Sequence, residues 1–183
     1  MLVLASRSPR RSEILQQAGI QFVVRPADID ETPRRDEQPR DYVMRVAREK
    51  AMAVPAGPAE IVLGADTTVV IGGRIMGKPR DPSDAIHMLE TLSGQRHDVI
   101  TGICLRTAAR SIADCSVTSV WFAALSSREI QEYVAGGEPM DKAGAYGIQG
   151  LASRFVERIE GCYFNVMGLP VALVYRRLRE LGP

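Results

Sequence analysis

Residues 61–66 read IVLGAD. A short apolar run bounded by turn signals marks a buried strand, and this is the strongest such run in the chain. It ends in an acid. Residues 67–79, TTVVIGGRIMGKP, follow as a hairpin with Gly72 and Gly73 at its turn. On the amino-terminal side, Leu2 to Ala5 is a short strand, and Ser8-Pro9 opens a helix with Ile14, Leu15 and Ala18 as its apolar stripe and Gly19 at its end. Phe22 to Val24 is a second short strand, residues 28–38 form an acidic, proline-interrupted loop, and a helix runs from about Asp41 to Ala53. Asp81-Pro82 starts another helix, with Ala85, Ile86, Leu89 and Leu92 inward. His97 to Arg106 and Ser111 to Ala123 alternate like two long antiparallel strands, and Ser126 with Glu129 makes a capping box. RFVERIEG (154–161) is a further strand, and a last helix starts at Val166 or Pro170 and ends at Leu181. Strands alternate with helices around long antiparallel pairs. The fold class expected is a mixed α/β sheet with flanking helices.

The 183 residues suit a single domain of one or two lobes, with 45% hydrophobic and 25% charged residues. A formal net charge of +1 gives no long-range pull towards nucleic acid or anionic membranes, so any anion must be held by local clusters. The tyrosines and Trp121 form no stacking array for nucleic acid. Cys104, Cys115 and Cys162 are scattered and contain no C-x-x-C, which argues against a zinc site or disulfide framework and fits a reducing cytoplasm. No stretch reaches the ~20 apolar residues of a membrane helix, and the start does not read as a signal peptide.

Five features could carry chemistry. SRSPRR (6–11) puts Ser6, Arg10 and Arg11 at a helix start, where unpaired N–H groups and the helix dipole favour an anion. From these residues alone, a solvated basic turn is an equal alternative. Asp66 follows a buried strand, where α/β proteins place ligands; it is a Mg²⁺ ligand, a proton acceptor or a turn cap. Lys50 lies seven residues after Val43 and four after Val46, so it shares their inward face, either snorkelling or aimed at a site. Lys78 in GKPRD is a phosphate ligand or a plain loop lysine. In EPMDKAGAYGIQG, Glu138, Asp141, Lys142, Tyr146 and Gln149 crowd a glycine-rich loop, where Asp141 and Lys142 are also readable as a surface pair and Gln149 could read a base edge. His87 reads as solvated, and His97, at the start of a strand, either faces the site or is structural. With no triad and no P-loop motif, the combination suggests metal-assisted attack on a phosphorylated small molecule.

Taken in order, LASRSPRR (4–11), AREKA (47–51), LGADTTV (63–69), GKPRD (77–81), LSGQRHDVITG (92–102), EPMDKAGAYGIQG (138–150) and GCYFNVMGLP (161–170) resemble the successive motifs of the Maf (septum formation inhibitor) family, over nearly the whole chain. The resemblance implies one domain over 1–183 and an elongated mixed sheet with two lobes around a cleft, similar to inosine triphosphate pyrophosphatases. It implies a house-cleaning enzyme that hydrolyses a nucleoside triphosphate to monophosphate and pyrophosphate with a divalent cation, Mg²⁺ or Mn²⁺. Asp66 matches the family's catalytic proton acceptor. Ser6, Arg11, Lys50 and Lys78 match substrate-binding positions. Glu31, in DIDE (28–31), matches an acid that supports metal or water, so the metal ligands expected are Asp66 and Glu31. Arg10, Thr67 and Gln149 match the subgroup acting on dTTP and UTP; the sister subgroup, which prefers 7-methyl-GTP, carries tryptophan where Thr67 stands. Modified pyrimidine nucleotides fit the same pattern. The expected partner is the nucleotide, with no nucleic acid and no membrane. A homodimer is among the assemblies the resemblance allows, although no patch in the sequence marks one. The competing reading is a non-catalytic nucleotide-binding regulator of cell division, which the intact Asp66, Lys50 and Lys78 argue against.

Overall fold

In a computed structural model, residues 1–182 are described. Strands β1 (Leu2–Leu4), β2 (Phe22–Val24), β3 (Ile61–Ile71), β4 (Arg74–Met76), β5 (Arg96–Arg106), β6 (Ser111–Phe122) and β7 (Val156–Glu160) form one mixed sheet. Its order is β2-β1-β3-β5-β6-β7, with β4 paired to β3. Strand β1 is parallel to both β2 and β3, with Leu2 opposite Phe22 and Ile61. Helices α1 (Pro9–Gln17), α2 (Pro39–Ala53), α3 (Pro82–Leu92), α4 (Ser127–Ala135), α5 (Tyr163–Met167) and α6 (Val171–Leu181) connect and flank the strands. This is the mixed α/β class expected.

The chain gathers into two compact units. The first holds Met1–Thr67, Ile100–Ser116 and the chain from Phe164 onward; the second holds Thr68–Val99 and Val117–Tyr163. In the first unit, strand alternation sorts the core onto two sheet faces. Leu2, Leu4, Leu63, Ala65, Ile103 and Leu105 pack with Ile14 and Leu15 of α1 and with Leu173 and Val174 of α6. Val3, Ala5, Val62 and Cys104 pack with Ala47 and Ala51 of α2. Helix α2 lies directly on the sheet because two strand glycines face it. A Cβ on Gly64 would stand 2.7 Å from the Ala51 backbone N, and one on Gly102 would stand 2.6 Å from the Val43 carbonyl carbon.

In the second unit, Asp81 caps α3 by accepting from the Asp84 N–H at 2.8 Å, and Ser126 with Glu129 completes the capping box of α4. Gly72 and Gly73 turn with φ of 55° and 77°, the paired positive values of a two-residue hairpin turn. His87 is exposed. His97 is 2% exposed, shares a 2.8 Å hydrogen bond with the Tyr146 hydroxyl, and packs edge-to-face against Phe122.

Burial pushes the His97 imidazole down to about 4 from 6.5. The folded state therefore resists a proton that the unfolded chain accepts. Stability that is full above pH 6.5 should be lost as pH falls towards 4, by about 3 kcal/mol in total. Urea midpoints measured between pH 7.5 and 4.5 should fall steeply for the native chain and much less for His97→Gln. Equal slopes would remove His97 as the cause.

Four sequence expectations differ in detail. The strand through IVLGAD does not stop at its acid: β3 continues to Ile71, so Asp66 sits mid-strand. The β-branched run Thr67–Ile71 suits a pleated surface and carries it on. Ser8 occupies the cap position of α1, but its side chain makes no cap bond; its N–H donates instead to Ser6 Oγ at 3.2 Å. Ala18 is exposed because α1 closes before it, with Gly19 in the left-handed region at φ 67°. The last helix starts after Pro170, the later of the two starts expected, and the short helix α5 before it is unexpected; Gly168, at φ 115°, and Pro170 separate the two.

Candidate active site

Strand β1 stops at Leu4 while its parallel neighbour β3 runs on. Its last main-chain bond to β3 is from the Ala5 N–H to the Leu63 carbonyl, 2.8 Å. The next carbonyl on that edge, Ala65 O, would be orphaned. Arg11 Nη1 reaches it instead at 2.8 Å. The carboxyl end of a parallel strand is where open α/β sheets leave room for ligands.

Arg11 is thus no solvated arginine. It is 8% exposed, and its Nε donates to the Gly168 carbonyl at 2.9 Å. Its Nη1 also donates to Ser6 Oγ at 3.1 Å, and its Nη2 to Thr67 Oγ1 at 3.1 Å. Burial pulls its pKa down, opposed by the nearby carboxylates of Asp66 and Glu31. Ser6, 7% exposed, accepts from both Arg11 and the Ser8 N–H, which leaves its own O–H to donate. Arg10 is half-buried on the first turn of α1, and Arg7 is exposed.

Thr67 and Asp66 are successive strand residues and so face opposite sides of the sheet. The Thr67 side meets Arg11 and the buried Thr101, whose Oγ1 lies 3.0 Å from Thr67 Oγ1. Thr101 Oγ1 in turn donates to the Asn165 carbonyl at 3.1 Å. That donation uses the only Thr101 hydroxyl hydrogen, so towards Thr67 it can only accept; Thr67 accepts from Arg11 and has one hydroxyl hydrogen to share between Thr101 and the Gly168 carbonyl, 3.3 Å away.

The Asp66 side meets α2. Lys50, 7% exposed, points inward with Val43, Val46 and Ala47. Its Nζ donates to Asp66 Oδ1 at 2.9 Å and pairs with Glu31 Oε1 at 3.0 Å. Asp66 is 5% exposed, and its Oδ2 is buried with no hydrogen-bond partner among the described residues. Burial raises the Asp66 pKa; Lys50 and Arg11 oppose that rise without cancelling it, and Glu31 adds to it. A carboxylate with one oxygen pinned by an ammonium and the other bare is suited to take a proton or hold a cation. The Glu31 side chain is half exposed.

Ser6, Arg11, Glu31, Lys50, Asp66 and Thr67 therefore assemble within the first unit. Lys78 and Gln149 belong to the second, and both are exposed there. Around Gln149 the acids and bases of the glycine-rich loop serve the loop itself. Glu138 accepts from the Tyr133 hydroxyl and from the Leu151 N–H, each at 3.0 Å. Lys142 donates to the Glu138 carbonyl at 2.7 Å and lies across Gly147. Thr101, Tyr42 and Arg45 join the site's framework without having been singled out from the sequence. Thr101 sits inside the VITG run, and Tyr42 and Arg45 lie near Val43 on α2, but apart from Glu49, one helical turn from Arg45, these polar groups find their partners through tertiary contacts. Among the described residues, no group of three or more His, Cys, Asp or Glu could hold a metal ion.

A mixed α/β unit that buries a bare carboxylate oxygen beside a lysine and an arginine defines the class: a protein equipped for acid–base chemistry on an anionic substrate. The chain belongs to the Maf family: the model described as Maf-like protein matches residues 1–181. Among curated relatives it is 55% identical to the dTTP/UTP pyrophosphatase of Anaeromyxobacter dehalogenans (strain 2CP-C), covering 99% of this chain and 94% of the relative. It is 50% identical, over 99% and 94%, to the dTTP/UTP pyrophosphatase of Koribacter versatilis (strain Ellin345). Among solved structures it is similar, at TM-score 0.46 and 13% identity, to the Staphylococcus aureus Ham1 protein over 67% of this chain and 71% of that one. That last likeness is too distant to bear on function.

Proposed function

We propose that this protein is a nucleoside triphosphate pyrophosphatase that hydrolyses dTTP and UTP to the monophosphate and pyrophosphate. The observation that carries the reading is the bare, buried Oδ2 of Asp66 beside Lys50, in a chain half identical to relatives bearing that name. Water attacks the α-phosphorus. A new O–P bond forms, the bond from that phosphorus to the pyrophosphate oxygen breaks, and Asp66 Oδ2 takes the water proton and later returns it to solvent. The raised proton affinity of Asp66 suits a group that must capture a proton near neutrality. Lys50 keeps Oδ1 fixed so that Oδ2 faces the water. Arg11 has four of its N–H donations committed to the protein, so it acts on phosphate mainly through its charge.

The donor set fits a divalent cation of the Mg²⁺ kind, which binds through one or two carboxylates and shares the substrate's phosphates. The Glu31 carboxylate would hold it together with Asp66, through a carboxylate lone pair other than the one that takes the proton, and when bound it would neutralise phosphate charge. Lys78 is assigned a phosphate contact, and Arg10, Thr67 and Gln149 the discrimination of the base. The setting proposed is the cytoplasm, where the nucleotide pool lies. No described helix is long and apolar enough to cross a membrane.

The test is a panel of canonical and 5-substituted pyrimidine and purine triphosphates with Mg²⁺ or Mn²⁺ in ¹⁸O-water. Expected are pyrophosphate release, preference for dTTP and UTP, and label in the monophosphate. Release of inorganic phosphate, or label in the pyrophosphate, would overturn the mechanism.

A further inference from the structure

Glu31 poses a geometric problem. Residues 25–38 form no helix or strand, and the Glu31 side chain is half exposed, yet its carboxylate lies 3.0 Å from Lys50 Nζ. A loop without a ladder of its own needs side-chain ties to hold one residue so closely. Those ties converge on one residue of α2. Arg45 makes a two-pronged pair with Glu37, Nε to Oε1 at 2.6 Å and Nη2 to Oε2 at 2.8 Å. Its Nη2 also donates to the carbonyl of Thr32, next to Glu31, at 3.1 Å. Its Nη1 donates to Glu49 Oε2 at 3.0 Å, and Glu49 in turn accepts from Arg34 of the loop at 3.1 Å. The Arg34 N–H closes back on Glu37 at 2.9 Å. The Glu31 carbonyl itself accepts from the Tyr42 hydroxyl at 3.0 Å, and the Arg45 guanidinium lies over the Tyr42 ring, 5.7 Å from its centroid. The Arg45 and Glu37 side chains are only 13% and 10% exposed, so the pair is shielded more than an ordinary surface bridge.

We propose that Arg45 is a positioning residue for the reaction: by clasping the 31–37 loop to α2, it fixes the Glu31 carboxylate beside Lys50 and Asp66. The inference rests on Glu31 acting in the proposed hydrolysis. Arg45 touches no reacting atom. It works through Glu31, because the helix that carries Lys50 also carries Tyr42, Arg45 and Glu49, which seat the loop.

A double-mutant cycle tests this. Arg45→Met should lower kcat/KM about 10- to 100-fold, the scale of an ångström-sized misplacement of a functional group. Glu31→Gln should lower it by at least as much. The double variant should be no worse than Glu31→Gln within about twofold, because the clasp has nothing left to position. Hydrogen exchange should speed up across residues 30–38 in Arg45→Met and stay unchanged in Glu31→Gln. Should Arg45→Met not fold, Glu37→Gln weakens the same clasp from the loop side and enters the same cycle. Multiplying losses in the double variant would overturn the clasp alone. A Glu31→Gln enzyme with full kcat/KM would overturn both the role of Glu31 and this inference, while the pyrophosphate product is judged separately by the nucleotide panel.

Discussion

Asp66→Asn is expected to cut kcat by roughly 10²- to 10⁴-fold while leaving the melting temperature unchanged or raised. The two effects have opposite signs for one reason. Burial raises the Asp66 pKa, so the ionised side chain opposes folding at neutral pH even with Lys50 beside it. Asparagine keeps the shape and still accepts from Lys50 through its oxygen, but it cannot take a proton. Kinetics on dTTP and thermal melts of both proteins check this. Activity within tenfold of native would remove Asp66 as the proton acceptor, and a lower melting temperature would make the carboxylate a structural group.

Gly64→Ala and Gly102→Ala should each destabilise the protein by about 3 kcal/mol or more, at or beyond the upper end of ordinary overpacking. The obstacles are backbone atoms of α2, not side-chain tips that could rotate aside. Accommodating a methyl group means moving the whole helix off the sheet, and Lys50 moves with it, away from Asp66. Any folded fraction should therefore lose activity as well. Gly77→Ala is the control, because a Cβ there meets nothing within 4 Å. Denaturant midpoints for the three variants decide it. A Gly64→Ala protein as stable as the Gly77→Ala control would mean that α2 does not need the close approach.

Part of this site was legible in one dimension. The seven-residue step from Val43 to Lys50 placed a lysine on an inward helical face, and it is buried there. The apolar run before Asp66 marked a carboxylate next to a buried strand, although at its end rather than within it. Asp81 and the Ser126–Glu129 pair announced their helices because capping is a contact over three residues. The remainder depends on contacts made across the chain. From its neighbours alone Arg11 sat in a turn that read equally as solvated or as an anion seat, but its burial follows from an unpaired strand carbonyl, Ala65 O, that only the sheet order exposes. Glu31 lies in a loop whose path is set by Arg45 and Tyr42, so nothing local brings it to Lys50. The strand running past Asp66 was hidden by its own glycine and acid, which read as an end when the β-branched run after them is taken as a new element.

The bond from Arg11 Nε to the Gly168 carbonyl spans 157 residues. It sets a timetable for the nascent chain. Strand β1 and helix α1 are made first, yet the guanidinium between them lacks one of its acceptors until residue 168 has been synthesised. Until then a buried cation is only partly satisfied, so the amino-terminal segment has little reason to settle early. Contacts this distant close slowly, because chain entropy must be lost before they form. Arg11 should therefore be among the last groups to be seated, and enzymatic competence should arrive in one late step rather than accumulate during translation.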